Sequence, residues 1–212
     1  MTPLVVGFDL DMTLIDSRPG VIATFDALNA ELGTTIDGTA IAARLGPTLE
    51  SEMASYFPPE EVDAVCDRYR ALYADLGPVG SSLLPGAVDA FAAVRARAGV
   101  TLVITAKYGP NAHRCLDHVG LTADHVVGWR HGPQKAETLR EHGAHVYVGD
   151  TLPDVHAARS AGARAVGVAS GPVGADELLA AGADVVLDSL TGFPDWLASL
   201  EWHRPAPRSR NR

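Results

Sequence analysis

The sequence predicts an α/β fold: a Rossmann-like, doubly wound parallel sheet, interrupted near its start by an inserted α-helical domain. Three observations predict it. A short apolar run, Leu4-Val5-Val6-Gly7-Phe8, ends abruptly in acids. From Pro85-Gly86 onward, helical and strand patterns alternate regularly. Between them, residues 16–84 read as helical. Alternating helices and strands of this size give a parallel sheet covered on both faces, with the strand C-terminal ends on one edge. Ligands in such sheets bind along that edge, where the strand order reverses.

Leu4 to Phe8 reads as a strand buried on both faces, because the run is continuously apolar and bounded by polar residues. Ser17 can cap a helix reaching about Leu32, where Gly33 stops it. The pattern from Asp37 to Leu76 is helical throughout. Within it, Val62, Val65, Cys66, Tyr69, Leu72 and Tyr73 recur at helical spacing. Gly77-Pro78-Val79-Gly80-Ser81-Ser82 reads as a linker. Helix 87–97, strand 101–104, helix 111–119 and a short strand near Val126 follow. Next come helix 133–142, strand 145–148, helix 152–161, strand 165–168, helix 175–181, strand 185–187 and a last docked helix over 196–200. The expected division is residues 1–15 and 85–202 for the α/β core, 16–84 for the helical insertion and 203–212 for a disordered tail.

Composition narrows the function. Of 212 residues, 47% are hydrophobic, enough for a core. No apolar run approaches the roughly 20 residues that span a bilayer, so no membrane partner is expected. The chain opens directly on its apolar strand, without a basic leader, and a cytoplasmic location is expected. Cys66 and Cys115 are the only cysteines and read as buried, reduced thiols. A formal net charge of −9 argues against a nucleic-acid surface. Arg204, Arg208, Arg210 and Arg212 lie among prolines in the tail and read as a solvated end. The chain holds 15 arginines but only two lysines, Lys107 and Lys135. Where arginine supplies general charge, a surviving lysine suggests a place for a compact ammonium that a guanidinium cannot imitate. The eight histidines show no metal-ligand spacing.

Four strand ends carry polar residues. At the first, Asp9-Leu10-Asp11-Met12-Thr13, residues i and i+2 point the same way, so Asp9 and Asp11 can face one small volume. Two carboxylates held together call for a cation or a shared proton. Mg²⁺ takes carboxylate oxygens and suits phosphate substrates. The alternative, a plain polar loop, fits poorly directly after five apolar residues. The second end is Thr105-Ala106-Lys107, where hydroxyl and backbone N–H groups can hold an anion. Thr105 alone reads equally as β-propensity. The third, Gly132-Pro133-Gln134-Lys135, puts a lysine at a helix start, against the macrodipole, unless anions meet it there. The fourth is Gly149-Asp150-Thr151-Leu152-Pro153-Asp154. Asp150 follows an apolar strand as Asp9 does, and Asp154 can cap the next helix.

The order Asp-x-Asp-x-Thr, Thr, Lys, Gly-Asp-x-x-x-Asp, each at a strand end, resembles the haloacid dehalogenase-like superfamily, from Val5 to about Leu200. Residues 8–17, Leu84-Pro85-Gly86 and 148–162 look like its phosphoglycolate-phosphatase-like branch, which carries a helical cap where residues 16–84 sit. The resemblance implies a Mg²⁺-dependent phosphatase acting on a small-molecule phosphate ester, as a monomer or homodimer. It implies that Asp9 is the nucleophile and that Asp11 protonates the leaving alcohol and then activates water. Thr105 would bond the phosphoryl group and Lys135 neutralise Asp9. The metal set would be Asp9, Asp11, Asp150 and Asp154. Thr13, Ala106 and Lys107 would border the substrate. Arg18 and Arg44 are the cap residues best suited to an anionic leaving group, with a plain surface role the alternative.

Three positions depart from the branch pattern: Met12 for glycine, Ala106 for asparagine, and Lys135-Ala136 for Lys-Pro with a short run to Asp150. Lys107 is the other ammonium that could stand in for Lys135. A phosphomutase of the β-phosphoglucomutase type, or a non-catalytic regulatory protein on the same scaffold, are the alternative functions. A dehalogenase would lack Asp11, and a phosphonatase would carry a lysine in residues 16–84, where none occurs.

Overall fold

A computed structural model describes residues 3–200. The expected tail, 203–212, and the last two residues of the expected core lie outside the described residues. The chain begins with β1 (Val5–Phe8) and β2 (Ile15–Asp16), then enters four helices: α1 (Arg18–Leu32), α2 (Gly38–Ala43), α3 (Leu49–Met53) and α4 (Pro59–Val79). It returns through β3 (Ser82–Leu83), which pairs antiparallel with β2. Then come α5 (Ala87–Ala96), β4 (Val100–Ile104), α6 (Gly109–His118), β5 (His125–Val127) and α7 (Pro133–Glu141). β6 (Val146–Gly149), α8 (Leu152–Ala161), β7 (Arg164–Val168), α9 (Ala175–Ala180), β8 (Val185–Leu187) and α10 (Phe193–Ser199) complete it.

Six strands form one parallel sheet in the order β5-β4-β1-β6-β7-β8. β1 is central, as its continuous apolar run required. The chain works outward from β1 through β4 to β5, then crosses back to β6, so the order reverses beside β1. Strand alternation sends Val6 and Phe8 to one face, where they pack with Phe91 of α5 and with Phe193 and Leu197 of α10. Val5 goes to the other, with Leu139 of α7, Val155 of α8 and Leu178 of α9. Phe8 packs edge-on to Phe193, ring centroids 5.4 Å apart, and tilted on Phe91 at 5.1 Å. Such packing fixes the strand end from which Asp9 projects. Burying that phenyl contributes about 1.5–3 kcal/mol.

The helical insertion departs from the sequence expectation in three places. The stretch 37–76 is broken into α2, α3 and the start of α4, with turns at Arg44–Thr48 and Ala54–Pro58. The expected linker at Gly77-Pro78 is the last turn of α4. Pro78 lies inside that turn, where it has no N–H to donate to the carbonyl four residues back. The glycines serve proximity rather than flexibility: a Cβ at Gly20 would overlap the Gly77 carbonyl, so α1 and α4 cross with backbones touching. Ser17 precedes α1 but makes no cap bond. Its hydroxyl donates to Asp11 instead. Gly33 does end α1, at φ 68°. Among the described residues, no helix is long and apolar enough to cross a membrane.

Candidate active site

The acids stand where strands stop. The backbone N–H of Asp9 still donates to the Val148 carbonyl at 2.8 Å, which ties the end of β1 to β6. One strand over, β6 releases the chain at Asp150. The two loops therefore meet at the point of strand-order reversal. Among the described residues, Asp9, Asp150 and Asp154 form a group whose carboxylate oxygens lie within 4.8 Å of one another. All three are buried, at 7%, 1% and 1% exposure.

Asp154, in the first turn of α8, has both oxygens occupied. Oδ2 accepts from the Thr151 N–H at 3.2 Å and hydroxyl at 2.6 Å, closing a capping box. Oδ1 accepts from Lys135 Nζ at 2.6 Å and from the Tyr147 hydroxyl at 3.3 Å. Tyr147 lies flat against β1 because Gly7 lets it: a Cβ there would sit 2.8 Å from the ring. Lys135 in turn donates to Asp9 Oδ1 at 2.8 Å. It is 5% exposed, and the anions it meets compensate its place in the first turn of α7.

One ammonium among three buried carboxylates leaves excess negative charge. Burial pushes the Asp9 carboxyl up to about 7; Lys135 opposes the rise and Asp154 adds to it. Burial, then Asp9 and Asp154, hold Asp150 well above the usual carboxylate range, against the bond from Thr13. Burial disfavours the Lys135 ammonium, but Asp154 and Asp9 outweigh it and keep its pKa well above the ordinary value. Among the described residues, no donor reaches Asp9 Oδ2 or Asp150 Oδ2. Hard carboxylate oxygens without donors, in a buried three-acid site short of positive charge, fit Mg²⁺.

Asp11 stands apart from that group. Its Oδ1 accepts from Ser17 and lies 3.0 Å from Lys107 Nζ. Lys107 also donates to the Tyr73 hydroxyl at 2.7 Å, with its ammonium 4.2 Å from that ring's centroid. Burial opposes its charge most strongly, yet Asp11, Tyr73 and Cys115 together outweigh burial and raise its pKa well above the ordinary value. The two lysines thus take one acid cluster each, and Lys135 needs no substitute. Asp9, Asp11, Thr105 and Lys135 all line one cavity of about 150 Å³, with Ala106 and Lys107. Residues of α1–α4 form the facing wall.

The structure places three other expected residues differently. Thr13 is fully buried and donates to Asp150 Oδ1 at 2.7 Å, so it orients a carboxylate rather than facing substrate. Arg18 pairs with Asp16 and Arg44 with Glu52, each at 2.6 Å, and neither lines the cavity. The arginine that does is Arg70 of α4. Met12, in place of the branch's glycine, is held at φ 60°. That conformation costs a non-glycine residue about 1–2 kcal/mol. Thr151, Tyr147 and Arg70 go unmarked in the sequence, where Ser17 reads only as a helix cap and Tyr73 only as part of a helical apolar pattern. Thr151-x-x-Asp154 has the pattern of a capping box, whereas nothing local in the sequence marks Tyr147 or Arg70.

The family model described as haloacid dehalogenase-like hydrolase matches residues 6–168. The chain is similar to the probable phosphatase IndB of Dickeya dadantii, 30% identical, with 90% of this chain and 91% of that protein covered. It is 30% identical to a phosphoglycolate phosphatase of Chromobacterium violaceum, covering 90% and 94%. A haloacid dehalogenase-like hydrolase from Streptococcus pneumoniae superposes with a TM-score of 0.78 at 22% identity, covering 92% of this chain and 98% of that one. At that identity the likeness speaks to the fold.

Proposed function

This chain belongs to the haloacid dehalogenase-like hydrolases, and from that premise we propose that it is a Mg²⁺-dependent phosphatase cleaving a small-molecule phosphate monoester through an aspartyl-phosphate on Asp9. The observation that carries the reading is Asp9 itself. It is a buried carboxylate at a cavity wall, with Lys135 on one oxygen and the other without a donor.

The residues divide the work. One carboxylate oxygen of Asp9 attacks phosphorus while the ester P–O bond breaks, and the departing alkoxide takes a proton from Asp11. Asp11 then removes a proton from water as that water attacks the phosphorus of the acyl phosphate, which returns Asp9 and frees inorganic phosphate. Ser17 and Lys107 hold Asp11 in place for both transfers. The Thr105 hydroxyl and Lys135 ammonium receive the phosphoryl oxygens, since this transfer is mostly positioning and charge neutralisation. Asp9 and Asp150 would hold the Mg²⁺, whose charge lets a phosphate dianion approach a carboxylate. Thr13 steadies Asp150, and Asp154 steadies Lys135. The helices α1–α4, residues 16–84 with their flanking strands, act as a cap that closes over the leaving group.

Two further readings follow. A phosphomutase must retain a bisphosphate intermediate and needs a spare cation in the cap, whereas Arg44 and Arg70 are both held by acids; this favours hydrolysis. The buried free thiols Cys66 and Cys115 suit a reducing cytoplasm. The test is hydrolysis of p-nitrophenyl phosphate with Mg²⁺, with EDTA, and by Asp9→Asn. Turnover should require both the metal and Asp9. Activity that survives EDTA or Asp9→Asn would overturn the mechanism.

A further inference from the structure

We propose that the cavity selects phosphate esters of uncharged, largely apolar alcohols and discriminates against a leaving group bearing a carboxylate, so that phosphoglycolate is a poor substrate. The inference rests on the phosphatase reading above.

Every lysine and arginine lining the cavity is already committed to an acid. Lys135 holds Asp9 and Asp154, and Lys107 holds Asp11. Arg70 is the cavity's one arginine, and it is the most constrained. One of its terminal nitrogens bonds Glu50, the other bonds Asp67 at 2.8 Å, and its guanidinium lies 5.4 Å from the Trp129 ring centroid. Asn111 Nδ2 donates to its backbone carbonyl at 3.1 Å, which ties α4 to α6. A carboxylate entering here would have to displace Glu50 and settle beside Glu52, which also lines the cavity. A buried anion without a partner is strongly disfavoured, and such built-in repulsion is how sites reject near-analogues.

The remaining surface is apolar. Val21, Phe25, Ile41, Leu49 and Tyr69 from the helices, and Leu45 from the turn between α2 and α3, face the phosphate end. Across from them, Trp129 packs on Tyr108 with centroids 4.8 Å apart and is held at φ 55°. A large residue kept in that conformation at a cavity wall is over-determined by its neighbours, as at a ligand clamp. Such a wall complements a hydrocarbon or aromatic group.

The test compares benzyl phosphate with 2-phosphoglycolate, both esters of primary alcohols, with Mg²⁺ present. Wild type should show kcat/KM at least tenfold higher for benzyl phosphate. Glu50→Gln removes the principal acid from Arg70, since Asp67 is mostly exposed. It should narrow the ratio by lowering KM for phosphoglycolate. Equal or better turnover of phosphoglycolate by wild type would overturn the selectivity while leaving the phosphatase reading standing. A ratio unmoved by Glu50→Gln would overturn the role given to Arg70 pairing. Absence of turnover on both esters and on p-nitrophenyl phosphate would instead sink the phosphatase reading, and this inference with it.

Discussion

Lys135→Met removes one ammonium from between two buried carboxylates, at 2.8 Å from Asp9 and 2.6 Å from Asp154. Methionine fills much of the lysine stem's volume, so the change is mainly one of charge. Breaking a buried ion pair by deleting one partner costs about 3–5 kcal/mol, because the surviving charges stay desolvated. In a chain of this size 1 kcal/mol moves Tm by about 2–4 °C, so the variant should melt roughly 6–20 °C lower. The cost should depend on pH. Without Lys135, burial raises the Asp9 pKa further above its unfolded value. A carboxylate raised on folding contributes stability that is full below its unfolded pKa and is lost as pH rises through the folded one. The deficit should therefore be large at pH 8 and smaller at pH 5, where Asp9 is protonated. Urea unfolding of both proteins in EDTA at the two pH values measures it. A deficit below about 1 kcal/mol at pH 8, or the same at both pH values, would refute the charge argument. Lys135→Arg should rescue poorly, since a planar guanidinium does not fit where a compact ammonium meets two acids.

Two further outcomes are expected. In the metal-free protein, the rise of Asp9 from 3.8 to about 7 corresponds to at most ~4 kcal/mol of stability lost as pH climbs from about 4 through 7. Asp16 and Asp124 are shifted down and act the opposite way, so the reading is the difference between wild type and Asp9→Asn in EDTA. Asp9→Asn should gain on wild type as pH rises, and a difference independent of pH refutes the assignment. Gly171→Ala would place a Cβ onto the Asp150 carboxylate. It should cut Mg²⁺-dependent turnover more than tenfold and shrink the Mg²⁺-induced rise in Tm; an unchanged rise would show that Asp150 does not hold the metal.

Much of the fold was legible because its signals are local. An apolar run bounded by acids marks a strand and its end. Helix 152–161 and strand 185–187 matched their expected bounds, and the other core elements from 87 to 181 fell within two residues, whereas the last helix starts three residues before the expected 196. Where local reading failed, a distant contact had overridden it. Gly77-Pro78 carries the composition of a linker, yet packing against Gly20 of α1 holds it helical. Ser17 has the composition of a cap, yet the return of the chain toward the sheet offers its hydroxyl to Asp11.

The sequence by itself determined which side chains reach the sheet's C-terminal edge, because side-chain alternation and strand length are properties of contiguous residues. Alternation put Asp9 and Asp11 on one side, and the order of the motifs marked Thr105, Lys135, Asp150 and Asp154, whose roles the resemblance to the superfamily implied. Only the tertiary structure decided their partners. Lys135 and Asp9 are separated by 126 positions, and Thr13 and Asp150 by 137. Which lysine meets which acid depends on the register Phe8↔Val148 and on where α7 and α4 dock. The same holds for the choice of Arg70 over Arg18 and Arg44. A helix's sequence sets its exposed and buried faces, but which arginine faces the cavity is fixed by the crossing of α1 and α4 and by what lies opposite.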